Sequence, residues 1–374
     1  LIDESAQLAH FYRALERTKR REAGAVTRIT FHGDSLVASD YVTATLRRKF
    51  QAGFGDAGHG FVLMADPWPS YFHNDVFRFT TRGFQVRRVV GPYASDGLYG
   101  LGGVSFEAPP GVRARFGTVD EGDFGRSVSR FRLFYLKQPH GGKLLVNVDG
   151  VEKAIVDTEA AEKQSAVAEV QVPDGPHLFE VVTKSGMTRT FGAVLERDGP
   201  GVVVDAIGIQ GARIRFLDKQ DDAHWADQLR LRNPNLIVFL FGANESIDGI
   251  AYSLEDYHDT MKAVLVQAKR ALPEASCLLI APLDRARQEG SRMVSVPIMP
   301  ELVRVQEATA REVGCAFWNT YAAMGGEGSM AKWVLKGMGQ ADMTHPSGLG
   351  ALILGNWIYR ALLADFDAWS PDTP

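Results

Sequence analysis

The sequence predicts an α/β protein, a three-layer, doubly wound parallel sheet with a β-sandwich inserted near its start. Three observations carry this. Continuous apolar runs of strand length alternate with amphipathic helical stretches early in the chain and again from about residue 201. Strands buried on both faces and separated by such helices are what a parallel sheet requires. Between these regions, residues 66–200 break into short strand-like runs split by glycine-rich turns and show no helical period, which is the pattern of a sandwich.

The elements follow in order. "AQLAHFYRALERTKRREAG" sets Leu8, Phe11, Tyr12 and Leu15 on one helical stripe, with Gly24 as the expected C-cap. "VTRITFHGDS" reads as a strand and "YVTATLRRKFQ" as the helix after it. In the interruption, "SRFRLFYLK", "KLLVNVDG", "HLFEVVTK" and "TRTFGAVLER" read as strands. The α/β rhythm resumes with strand "GVVVDAIGIQGA", helix "AHWADQLRLRN" and strand "PNLIVFLFGANE". Helix "SLEDYHDTMKAVLVQAKRALP", strand "SCLLIAPLDR", helix "MPELVRVQEATAREVG", strand "CAFWNTY" and helix "SGLGALILGNWIYRALLADF" complete it. The expected division is therefore a discontinuous core of residues 1–65 and 201–374 around an inserted domain of residues 66–200.

Composition narrows the function classes. The chain has 374 residues, 45% of them apolar and 23% charged, the balance of a globular protein with a full core. A formal net charge of −4 without a basic block leaves no electrostatic footprint for nucleic acid. No uninterrupted apolar run approaches the ~20 residues of a membrane span. The first residue is Leu1, so a processed or trimmed product is expected, with any signal peptide already removed. The two cysteines, Cys277 and Cys315, sit in apolar strands far from metal-ligand spacing and are expected as buried free thiols, with a disulfide as the alternative. The glycine-rich run at residues 97–103 lies in the sandwich rather than between strand and helix, so no phosphate loop is expected.

Chemistry is suggested by four pieces. Ser35 follows the first strand at Gly33-Asp34-Ser35, where it can cap the next helix or serve as a nucleophile beside free backbone N–H groups. "QADMTHPSGLG" offers Asp342 and His345 just before the last helix, a spacing that can put the carboxylate on one imidazole nitrogen and leave the other to take a serine proton. Gly211, through its N–H, and Asn244, through its amide, are candidate oxyanion donors after two further strands. All stand at the carboxyl edge of the predicted sheet or open its final helix, and that edge is where ligands bind in open α/β sheets. In "DPWPSYFHND", Trp68, Tyr71 and Phe72 are candidates for a sugar-stacking platform, with core or domain-junction packing as the competing role; His59 and His73 are expected in surface or packing roles.

The ordered set resembles the SGNH (GDSL-type) esterase superfamily, whose blocks correspond to Gly33-Asp34-Ser35, Gly211, Gly242-Ala243-Asn244-Glu245 and Asp342-Met343-Thr344-His345. Glu245 replaces the aspartate usual in the third block, at a position that is not the oxyanion donor. More narrowly, "FGDAGHGFV", the interposed sandwich and "YAAMGGEGSMAKW" resemble bacterial peptidoglycan O-acetylesterases, in which a carbohydrate-binding-module-like jelly roll is inserted at this point. The resemblance implies a periplasmic or secreted serine esterase that removes acetyl groups from glycan hydroxyls without a metal or cofactor. Ser35 would be its nucleophile, His345 its base and Asp342 the orienting group. The Ser35 and Gly211 N–H groups with Asn244 would form its oxyanion hole. The same machinery can run as an O-acetyltransferase; a lipid or thioester hydrolase and an inactive glycan-binding protein are the remaining rivals. Oligomeric state is not legible.

Overall fold

The computed structural model describes residues 1–370. Five parallel strands form the central sheet: β1 (Val26–Gly33), β2 (Gly201–Gly208), β3 (Leu236–Leu240), β4 (Ser276–Ile280) and β5 (Ala316–Trp318). Their order is β2-β1-β3-β4-β5, a doubly wound arrangement in which the winding reverses between β1 and β3. Val202 to Val204 and Leu236 to Leu240 are buried on both faces, which explains their unbroken apolar runs.

Helices cover both faces. On one, α1 (Ala9–Lys19), the short α2 (Ser35–Ala38), α3 (Tyr41–Phe54) and, at the chain's end, α9 (Gly348–Ala368) bury Phe11, Leu15, Phe50, Leu354 and Phe366. On the other, α4 (Asp222–Arg232), α5 (Leu254–Ala271) and α6 (Met299–Val313) bury Trp225, Tyr257 and Leu302, and their apolar layer runs on into the inserted domain. Two short helices, α7 (Thr320–Met324) and α8 (Ser329–Leu335), precede α9. Local chemistry sets the ends: Ser253 and Ser347 accept N–H bonds from Asp256 and Gly350 at the starts of α5 and α9, and Gly314 closes α6 in the left-handed region. Helix α1 stops at Lys19, short of Gly24, which takes a positive φ in the turn that follows. By length and composition α9 is apolar enough to cross a bilayer, a property the residue-by-residue reading passed over; in this fold it packs along α3, with Gly355 against Thr45.

The inserted domain is a sandwich of two antiparallel sheets. One has the strand order 164–175, 128–137, 188–196, 104–108, 85–88; the other has 77–80, 113–117, 178–185, 143–148, 151–157. Its beginning differs from the expected residue 66. Strand Gly60–Leu63 pairs antiparallel with Gly192–Leu195 of the sandwich, so the polypeptide has already left the core by Gly60. That strand is apolar on both faces and reads like a core strand, which is why sequence placed it there.

Insert and core share a buried ionic cluster. Arg232 of α4 donates to Asp205 of β2 (2.7 and 2.9 Å) and to Glu196 of the insert (2.6 Å). Arg28 of β1 and Arg130 of the insert also donate to Glu196, while Thr30 and the Phe61 N–H donate to Asp205. Burial alone would neutralise Glu196, but the guanidinium groups around it outweigh that and hold its carboxyl far below the usual range.

The expectation of free thiols is corrected. Cys277 and Cys315 form a disulfide with a Cα–Cα separation of 4.7 Å. Leu278 pairs with Ala316 across β4 and β5, so the preceding residues, the two cysteines, are neighbours in register. That pairing joins positions 38 apart in sequence and is invisible without the strand order.

Candidate active site

Register aligns Gly33 with Gly208 and Leu240, and Leu240 with Ile280, so four strands end on one line. Ser35, Gly211 and Asn244 each follow one of those ends within a few residues. Glycine at 33 and 208 answers a lack of space: a Cβ at Gly33 would lie 2.8 Å from the Leu240 carbonyl oxygen, and one at Gly208 only 2.0 Å from the Ala38 nitrogen. These two positions let α2 sit tight against the sheet. Asp34, rather than Ser35, caps that helix by accepting the Leu36 N–H at 3.0 Å, which leaves the serine hydroxyl free for another partner.

That partner is His345. Ser35 Oγ lies 2.7 Å from His345 Nε2, and His345 Nδ1 lies 2.6 Å from Asp342 Oδ2. With Nδ1–H donated to the carboxylate, Nε2 is the acceptor for the serine proton. Asp342 Oδ1 also accepts the N–H groups of Thr344 and His345, both at 3.0 Å, closing a tight turn in which Met343 takes a positive φ. Burial of Asp342 opposes its ionisation, but these hydrogen bonds and the imidazole together hold its carboxyl below the ordinary value.

The Gly211 and Asn244 segments are bound to each other. Asn244 Nδ2 donates to the Ala212 carbonyl at 2.8 Å, and the Ile214 N–H donates to Glu245 Oε1 at 2.8 Å. Gly211 is exposed at the turn with φ +75° and open space where a Cβ would stand. Arg285, which follows β4, donates to Thr344 Oγ1 and Ser246 Oγ, both at 3.1 Å, and so bridges the histidine loop to the asparagine loop. It lines, with Leu36, Leu283 and His345, a cavity of about 10 Å³ beside Ser35. Sequence reasoning passed over Arg285, although its place just past a parallel strand's carboxyl end was the available signal.

Two carboxyls lie buried behind this rim. Burial pushes Glu245 up to about 7, against its hydrogen bond from Ile214 and with the nearby Asp34 adding to the rise, and burial pushes Asp34 up to about 6. An unfolded glutamate titrates near ~4.3, so between there and about 7 the folded state holds the extra proton and stability falls as pH rises. Glu245→Gln is fixed in the neutral form. Its melting temperature should decline less than the wild type's across that window, and parallel declines in a pH series of melts would contradict this.

The remaining sequence candidates fall elsewhere. Trp68 and Tyr71 are corrected as glycan-holding residues: they are 7% and 8% exposed and pack edge to face. The Tyr71 hydroxyl accepts the Leu63 N–H and bonds His73 Nε2, so both rings serve the junction between core and insert. His59 and His73 are buried too, with a ring nitrogen of each 3.2 Å apart. Among the described residues, no cluster of three or more His, Cys, Asp or Glu side chains converges on a metal-sized position.

Residues 174–353 match the GDSL-like lipase/acylhydrolase family. The matched segment includes Gly211, Asn244, Asp342 and His345, and Ser35 precedes it. No curated protein sequence matches the chain. Among solved structures, the fold is similar to that of a peptidoglycan O-acetylesterase, with a TM-score of 0.84 and 22% identity over 99% of both chains. An acetylxylan esterase from Geobacillus stearothermophilus aligns over 46% of this chain and 75% of its own, at 21% identity and a TM-score of 0.33. A family two carbohydrate esterase from Cellvibrio japonicus aligns over 78% and 98%, at 13% identity and a TM-score of 0.32.

Proposed function

We propose that the chain, whose residues 174–353 match the GDSL-like lipase/acylhydrolase family, is an SGNH-type esterase that removes O-acetyl groups from a glycan, peptidoglycan foremost. The observation that carries the reading is the hydrogen-bonded series Ser35–His345–Asp342 at the sheet's switch point, beside a cavity of about 10 Å³. Such a space holds roughly one water-sized group. Its size suits the methyl of an acetyl ester, which favours a short acyl group over the long chains of lipid and thioester hydrolases.

Ser35 attacks the ester carbonyl as His345 takes its proton, with Asp342 holding the imidazole in the required tautomer. The Ser35 and Gly211 N–H groups and the Asn244 amide receive the developing oxyanion. His345 returns the proton to the departing sugar oxygen, which leaves as a hydroxyl, and water then cleaves the acetyl-serine through the same groups. Replacing water by a second sugar hydroxyl turns the outcome into acetyl transfer. Asn244→Ala removes a donor that matters mainly in the transition state, so kcat should fall roughly 10²–10³-fold with KM little changed. A change confined to KM would make Asn244 a substrate-positioning residue instead.

The likeness in fold to a peptidoglycan O-acetylesterase supports the substrate class, and the insert adds surface for a polymer. The Cys277–Cys315 disulfide supports an oxidising compartment, periplasmic or extracellular. The test is acetate release from O-acetylated peptidoglycan, acetylated xylan and aryl esters of increasing acyl length. The reading expects peptidoglycan to be preferred among the polymers and activity to collapse beyond acetyl. Preference for long acyl chains would reject it.

A further inference from the structure

While Trp68 and Tyr71 turn inward, two neighbouring rings stay outside: Phe72 is 50% exposed and Phe79 is 48% exposed. Between them lies a cavity of about 230 Å³, lined also by Asp66, Tyr71, His73 and Arg78. Phe79 belongs to the edge strand Phe77–Thr80 and pairs with Arg115, whose guanidinium lies 5.8 Å from the ring centroid. Arg78 is held firmly. Its side chain is 10% exposed, stacks 4.3 Å from the Tyr71 centroid and donates to Asp66 at 2.9 Å. Its Nε–H has no partner among the described residues, a state shared by Arg47, Arg130, Arg132 and Arg189, so what sets Arg78 apart is its place in the cavity wall.

The segment bearing this cavity is fastened to the rim of the active site at two points. Ser70 Oγ donates to Gln210, the residue before Gly211, at 3.4 Å. Asn74 donates its N–H to Asp40 Oδ2 at 2.8 Å and its amide to the Asp40 carbonyl at 3.0 Å, in the loop that leaves α2. The same Asp40 carboxylate forms a buried ion pair with Arg47, so the second anchor is rigid.

Aromatic rings beside fixed charged groups match the chemistry of a sugar residue. Its C–H face packs on a ring, and its oxygens take donors such as an arginine N–H. We propose that the cavity between Phe72 and Phe79 is a glycan subsite, receiving a sugar of the polymer distant from the one whose ester lies at Ser35, with an oxygen acceptor against Arg78. This rests on the deacetylase reading and extends it, because such a site binds polymer and is not reached by a small aryl ester.

The test uses the full chain with Ser35→Ala, which binds without turnover, and the same protein carrying Phe72→Ala and Phe79→Ala together. Co-sedimentation with insoluble O-acetylated peptidoglycan is measured, with acetylated xylan beside it. Loss of the two rings should weaken sedimentation about five- to tenfold. In the enzyme with Ser35 intact, the same pair of substitutions should raise KM on polymer while sparing p-nitrophenyl acetate. Unchanged polymer binding overturns the subsite, and so does a parallel loss on polymer and aryl ester accompanied by a lower melting temperature. If the protein binds xylan and not peptidoglycan, the peptidoglycan reading fails by itself; the subsite then stands if the two substitutions weaken xylan binding and falls if they do not.

Discussion

Ser35→Ala is expected to lower kcat for ester hydrolysis by roughly 10⁴–10⁶-fold, because in the proposed mechanism it removes the group that forms the acyl-enzyme. Stability should barely move. The hydroxyl's one side-chain partner, His345 Nε2, belongs to a side chain that is 36% exposed, so water replaces the lost hydrogen bond. Turnover of an aryl acetate and a thermal melt on the same preparation check both halves. A sulfonyl fluoride should label Ser35 and no other residue. Substantial turnover in the alanine variant, or label elsewhere, would remove Ser35 from the chemistry.

Arg232→Ala carries the largest expected effect on stability. Its guanidinium is fully buried and serves two fully buried carboxylates, Asp205 of the core and Glu196 of the insert. Removing one partner of such a cluster leaves charge without compensation and costs about 3–5 kcal/mol. Glu196 keeps Arg28 and Arg130, whereas Asp205 is left with Thr30 and the Phe61 N–H, so the loss falls mostly on the core side. Urea unfolding of the variant should show a midpoint well below the wild type's at similar slope. A change within 1 kcal/mol would mean that water or a neighbouring cation takes the arginine's place. A second, lower-stability transition would show that the cluster couples insert to core.

Much of this molecule was legible in its residues. The strands containing Ile237, Val238 and Phe239, or Val202 to Val204, announce a sheet covered on both faces, and their alternation with amphipathic helices fixes the parallel winding. The order serine, glycine, asparagine, then Asp-x-x-His is local information, because each residue sits where a strand ends or a helix begins. Features that depend on who lies beside whom were hidden. The disulfide needed the β4–β5 register, and the burial of Trp68 and Tyr71 needed the path of the loop between core and insert. A hairpin of Ala286–Glu289 and Arg292–Ser295 left no signal strong enough to place it, yet the Ala286 N–H holds the Met343 carbonyl in the histidine loop at 3.0 Å. Phe72 was legible as a candidate ring, whereas Phe79 was passed over, although Phe77-x-Phe79 alternates as an edge strand should.

Acetate release from O-acetylated peptidoglycan by the wild type and by Ser35→Ala is the decisive measurement for a serine esterase acting on acetylated glycan. The wild type should release free acetate steadily, with the polymer backbone left uncut, and the variant only at background level. Equal release by both proteins, or none by a wild type that still hydrolyses p-nitrophenyl acetate, would contradict it.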